Sequence, residues 1–117
     1  MTNEIRICHM AKTVDGDTMM SVYAVVDNQV VGTLDVHGWH RLGGWTCWLF
    51  VHEDWRRNGI ARSLLLEVDN LARLAGKKGL EIAVDVANPA AIELYESLGY
   101  VVSWQTEKEL LYMSKHL

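Results

Sequence analysis

The chain is poor in the residues that break regular structure or staple it together. Proline occurs once in 117 residues, cysteine twice and phenylalanine once. A single proline and no low-complexity stretch exclude a disordered chain beyond the ends. The cysteines, Cys8 and Cys47, lie in apolar strand-like surroundings without metal-ligand spacing. That excludes a disulfide framework and a thiolate metal site, and predicts two buried thiols in a reducing compartment. No apolar run reaches membrane-spanning length, and the polar segment Met1 to Arg6 does not read as a signal peptide. No membrane association and a cytoplasmic location are therefore expected. Charge of one sign is scarce too. The net charge is −4, and basic residues are scattered apart from Arg56, Arg57 and Arg62, which leaves no electrostatic footprint for general nucleic-acid binding.

What is present is apolar matter, 50% of residues against 22% charged, enough for one packed core and one domain spanning residues 1–117. The N-terminal half reads as antiparallel strands. Ile5 to Met10 is followed by a turn at Asp15-Gly16-Asp17. Met19 to Val26 and Val30 to Val36 flank Asp27-Asn28, a hairpin turn. Gly43-Gly44 precedes a further strand, Trp45 to Val51. The period then changes. Ala61, Leu64, Leu65, Val68, Leu71, Ala72 and Ala75 fall at helical spacing, and Gly76 stops that helix. Leu80 to Val86 alternates as a strand. Asn88 suits a helix N-cap, Pro89 the first helical position and Gly99 the residue after the end. Tyr100 to Gln105 and Leu110 to Ser114 supply two last strands. Five tryptophans are many for this length; packing is their default use, and any exposed ones would form an interaction surface.

The segment from Leu49 to Ala61 runs from a strand through a polar turn into the longer helix. A helix start carries unpaired amides and partial positive charge, which phosphate oxygens satisfy. Gly59 and Ala61 allow close approach, and Arg56, Arg57 and Arg62 add charge. The same residues also describe a plain helix start with solvated arginines.

Arg56-x-x-Gly59-x-Ala61 resembles the Gln/Arg-x-x-Gly-x-Gly/Ala signature of the GNAT superfamily of N-acetyltransferases, with Leu49-x-Val51 upstream and Leu64-Leu65 downstream. Asn88-x-x-Ala91-x-x-x-Tyr95-x-x-x-Gly99-Tyr100 resembles that family's second signature. The resemblance implies an α/β (α+β) fold, with a mixed, mostly antiparallel twisted sheet of about six or seven strands. Two main helices accompany the sheet, which is splayed between its fourth and fifth strands. It implies acetyl-coenzyme A as cosubstrate, no metal, and an amine acceptor that is a small molecule or a protein. Arg57, Asn58, Gly59, Ile60, Ala61 and Arg62 would hold the pyrophosphate, with Arg56 opening the turn. Backbone groups of Leu49, Phe50 and Val51 would pair with pantetheine, an amide near Leu49 would serve the oxyanion, and Asn88 would add a contact. Tyr95 would be the general acid for the departing thiolate and would also touch the cofactor.

Three departures from the family pattern stand out. Glu53 replaces the usual proline. Only Ala11 to Thr18 separate the first two strands, too few for the two helices that most members carry there, so an open acceptor cleft or a homo-oligomer is expected. Trp45 occupies the position aligned with the usual basic glutamate, which leaves Asp35, His37, His40, Glu53 and Asp85 as candidates for the base. The absent glutamate also keeps open a binding module without turnover, or an interaction protein on the same scaffold.

Overall fold

The computed structural model describes residues 4–14, 17–37, 44–57, 59–106 and 109–117. Asp15, Gly16, Trp39, His40, Arg41, Gly43 and Asn58 lie outside them. Seven strands form a single sheet: β1 (Arg6–Val14), β2 (Asp17–Val26), β3 (Gln29–His37), β4 (Trp45–Val51), β5 (Gly79–Asp85), β6 (Val101–Gln105) and β7 (Leu110–His116). They lie in the order β1-β2-β3-β4-β5-β7-β6. Two α-helices accompany them, α1 (Ile60–Leu74) between β4 and β5, and α2 (Pro89–Ser97) between β5 and β6. Every neighbouring pair is antiparallel except β4–β5, the pair joined through α1.

Local chemistry explains most boundaries. Asp27 and Asn28 take φ of 50° and 63°, left-handed values that a two-residue hairpin turn demands and that these residue types tolerate. The Asn88 side chain accepts from the Ala91 amide at 3.2 Å, and Pro89 fills the first helical position. The first hairpin is longer than its apolar pattern suggested. β1 runs on to Val14, β2 starts at Asp17, and Val14 pairs with Asp17, so Ala11 to Val14, Asp17 and Thr18 form strand rather than a connecting loop. Backbone pairing at the sheet edge carries these residues; they show no apolar stripe.

One core fills one face of the sheet. Val22, Leu34, Val36, Cys47, Ile82 and Met113 pack there against Ile60, Leu64, Leu65, Val68 and Ala72 of α1 and against Tyr95 and Tyr100 at α2. Asp69 of α1, partly buried beside these elements, accepts from Lys115 of β7 and Arg73 of its own helix. The Lys115 ammonium also lies 5.8 Å from the centre of the Tyr100 ring. The Asp69 carboxyl is opposed by its burial, yet the Lys115 and Arg73 bonds outweigh that and hold it below the ordinary carboxylate value. The other face of the sheet carries Asp35, His37, Trp48 and Phe50 to solvent, and among the described residues no helix covers it. Cys47 is buried as expected, whereas Cys8 is only half-buried on the edge strand.

Candidate active site

The central feature is a sheet that is closed at one end and open at the other. β4 and β5 pair only through Trp45–Leu80, Thr46–Glu81 and Cys47–Ile82. Gly44 enforces the closed end, because a Cβ there would collide with the Gly79 carbonyl. Beyond Cys47 the two strands part. Trp48, Leu49, Phe50 and Val51 keep Asp35, Leu34, Thr33 and Gly32 of β3 as partners, and among the described residues they have none on β5. β5 meanwhile turns to β7, pairing Ala83 with Tyr112 and Val84 with Leu111. One edge of Trp48 to Val51 thus presents backbone donors and acceptors to a gap.

The mouth of α1 stands at the end of this gap. β4 is followed by a 3₁₀ turn, Glu53–Trp55, and then by Arg57 at φ 65° and Gly59 at φ 76°. Gly59 caps α1 with no side-chain hydrogen bond, and its carbonyl receives the Ser63 amide at 3.0 Å. A Cβ placed on Gly59 meets nothing within 4 Å, so packing does not require glycine there; the left-handed backbone does, and the space above it is clear. Ile60 is buried and anchors the first turn of the helix, Ala61 is half-buried, and Arg57 and Arg62 are exposed. Amides and helix dipole are aimed outward here with two cations beside them, an arrangement whose chemistry suits an anion. Arg56 does other work: its Nε donates to the Val51 carbonyl at 3.2 Å and ties the turn to the end of β4. Asn58 lies outside the described residues.

Tyr95 comes to the place where the strands part. Its ring is 4% exposed and lies 6.1 Å from that of Tyr100. Burial, and then the proximity of Cys47, the last paired residue of β4, push its phenol up to about 12. The group therefore stays protonated through the physiological range, as an acid must. Cys47 is itself pushed up to about 12 by burial and by Glu81, which leaves an inert thiol. Asn88 spends its side-chain oxygen on the α2 cap.

The candidate bases separate clearly. Trp45 is buried in the core and carries no proton-accepting group. Glu53 lies on the 3₁₀ turn beyond β4. Asp35, His37 and Asp85 share the uncovered face, where Asp35 accepts from Ser21 at 2.8 Å and Asp85 from the Ala87 amide at 2.8 Å. His40 lies outside the described residues. Sequence reasoning passed over Trp48, Trp104 and Tyr112, which gather on this face. The Trp104 and Tyr112 rings stack at 4.2 Å, and Trp48 meets Tyr112 edge-on at 6.5 Å.

A model of the acetyltransferase (GNAT) domain matches residues 19–102, more than half of the chain. The chain belongs to the GNAT family. A relative in Escherichia coli K12, the L-amino acid N-acyltransferase MnaT, is 35% identical over 57 residues, which are 49% of this chain and 33% of that protein. Among solved structures, the PaiA N-acetyltransferase of Thermoplasma acidophilum in complex with coenzyme A superposes with a TM-score of 0.74 at 18% identity, over 85% of this chain and 61% of that one. An IAA acetyltransferase from Bacillus cereus gives 0.75 at 15% identity, over 85% and 78%. This GNAT chain thus spans a third of the curated relative's length. Among the described residues its mixed, mostly antiparallel sheet of seven strands with two helices agrees with the fold that the resemblance implied. No helix among the described residues is long and apolar enough to cross a membrane.

Proposed function

We propose that the chain transfers an acetyl group from acetyl-coenzyme A to a primary amine by direct attack within a ternary complex. The observation that carries this reading is the coincidence of three features at one place: the gap beyond Cys47, the uncapped mouth of α1 and the raised Tyr95 phenol. Amides of Gly59, Ile60 and Ala61 receive the diphosphate, with Arg57 and Arg62 adding charge. The pantetheine arm runs along Leu49, Phe50 and Val51 as an added strand, and Asn88 contacts it from the α2 cap. This places the thioester beside Cys47 and Tyr95.

The helix face is filled by the core, so the amine enters from the uncovered face. Its neutral nitrogen attacks the carbonyl carbon and forms the C–N bond. The oxygen gathers negative charge, which a backbone amide near Leu49 stabilises. Collapse breaks the C–S bond, the sulfur takes the Tyr95 proton, and the nitrogen loses its own to a base on the acceptor side. One relative is named for acylating L-amino acids, which makes these the first acceptors to test.

Calorimetry with acetyl-coenzyme A, followed by thiol release in the presence of an amine panel, tests the proposal. Binding and amine-dependent thiol release are expected. Binding without release would leave a coenzyme-binding module, and no binding would overturn the reading.

A further inference from the structure

The uncovered face has a composition of its own. At the parting point Trp48 of β4 and Tyr112 of β7 meet across β5, above Ala83, whose small side chain leaves room beneath them. Trp48 is 43% exposed, Trp104 38% and Phe50 59%. Carboxylates surround these rings: Asp35 is in register with Trp48, while Glu81 and Asp85 lie on the same face of β5. Register gives this face Thr33, Asp35 and His37 from β3, and Thr46, Trp48 and Phe50 from β4. β5 adds Glu81, Ala83 and Asp85, and β7 adds Leu110, Tyr112, Ser114 and His116. None of these residues of β3, β4, β5 and β7 is lysine or arginine; β1 brings Lys12 to the same face, in register with Met19. On its far side Asp35 borders a cavity of ≈ 320 Å³ that Met10, Met19, Ser21 and His37 also line.

Exposed indole and phenol rings flanked by carboxylates attract alkylammonium ions, through the ring quadrupole and by charge. The carboxylates of this surface repel an acceptor that carries its own carboxylate. We propose that the acceptor is an alkyl diamine or oligoamine. Its reacting nitrogen lies over the gap at Trp48 and Tyr112, and a second ammonium rests on Asp35 at the edge of the methionine-lined cavity. Adjacent strands are about 5 Å apart, so Asp35 lies within a short alkyl chain of the gap. Ser21 fixes the carboxylate through its bond to one oxygen, which orients the other toward the incoming cation. The methionines and Trp48 cover the methylenes between the two charges.

This inference rests on the acetyltransferase reading, and the two fail separately. If acetyl-coenzyme A does not bind in calorimetry, the transferase reading falls and takes this one with it. Given binding, thiol release is compared for putrescine, butylamine, glycine and methionine. Putrescine is expected to exceed butylamine in kcat/KM by about tenfold, and both amino acids by more. Asp35→Asn should remove most of the preference for putrescine over butylamine while leaving the acetyl-coenzyme A Kd and the Tm close to the parent values. A merely structural role for Asp35 would move both amines alike. Trp48→Leu should weaken both amines. If the protein binds the coenzyme but turns over none of the four, putrescine titrated into coenzyme-A-saturated protein must still bind, and more weakly to the Asp35→Asn variant. Equal turnover of butylamine and putrescine, a preference for amino acids, or no putrescine binding overturns the inference.

Discussion

Gly59 and Gly76 form a matched pair that tests the proposed diphosphate site. They stand at opposite ends of α1 with φ of 76° and 72°, and a Cβ on either meets nothing within 4 Å. Alanine at either position therefore pays the same backbone strain and no steric penalty. That strain is about 1 kcal/mol, which lowers the Tm of a domain of this size by about 5 °C. The two differ in what surrounds them. Gly59 precedes the uncapped amides of Ile60 and Ala61, whereas Gly76 follows the far end of the helix. A shift at Gly59 that relieves the strain re-aims these amides. Loss of one hydrogen bond to a charged phosphate costs about 2 kcal/mol, or about 30-fold in Kd. Gly59→Ala and Gly76→Ala should thus show similar thermal shifts, while only Gly59→Ala weakens acetyl-coenzyme A in calorimetry. Equal Kd values for the two variants would place the diphosphate somewhere other than the mouth of α1.

Three further outcomes follow from the site and its supports. Tyr95→Phe removes a hydroxyl whose raised pKa comes from burial and Cys47, with no hydrogen bond among the causes, so the Tm should change by less than about 2 °C while kcat falls at least about 100-fold with acetyl-coenzyme A binding intact. An unchanged kcat would end the acid assignment. An acid of pKa about 12 stays protonated across the usual assay range, so the pH–rate profile should rise with amine deprotonation and show no descending limb below about pH 10. A descending limb that vanishes in Tyr95→Phe would show that the phenol titrates earlier than its burial implies. Asp69, depressed in the fold, takes up protons more readily in the unfolded chain, so its contribution is complete above the ordinary carboxylate value and fades as pH falls through the lower folded one. Asp69→Asn should cost about 1 kcal/mol near neutrality, Arg73 being half exposed, and should flatten the acid side of the Tm–pH curve.

The parts of this molecule that were legible in its sequence are those whose physics is local. Asp27-Asn28 turned where its residue types allow positive φ, Asn88-Pro89 opened a helix, and the apolar stripe of α1 marked its buried face. The gap between β4 and β5 was different. Trp48 to Val51 reads like any other strand, because periodicity reports side chains, whereas the gap is a missing backbone partner. Only the family resemblance implied it. The roles of the arginines were likewise beyond spacing alone: Arg56 turns back to the Val51 carbonyl, a contact set by the path of the 3₁₀ turn.

One further signal was present and unused. β4 is apolar on both faces, a pattern that belongs to strands covered from two sides. Among the described residues there are two α-helices, and both α1 and α2 pack with the core. The apolar residues on the far side of β4, Trp48 and Phe50, therefore have nothing among the described residues to cover them, and both are exposed. Supply and demand of burial across the two faces of a strand do not balance here. In a folded domain such an imbalance marks a surface that meets something else. Carboxylates ring that surface and the cleft opens beneath it, so a cationic amine satisfies the composition better than a protein surface or a lipid would. On the proposed reading, the direct pairing of β1 with β2, which leaves this face without a helix among the described residues, sets the side from which the acceptor enters.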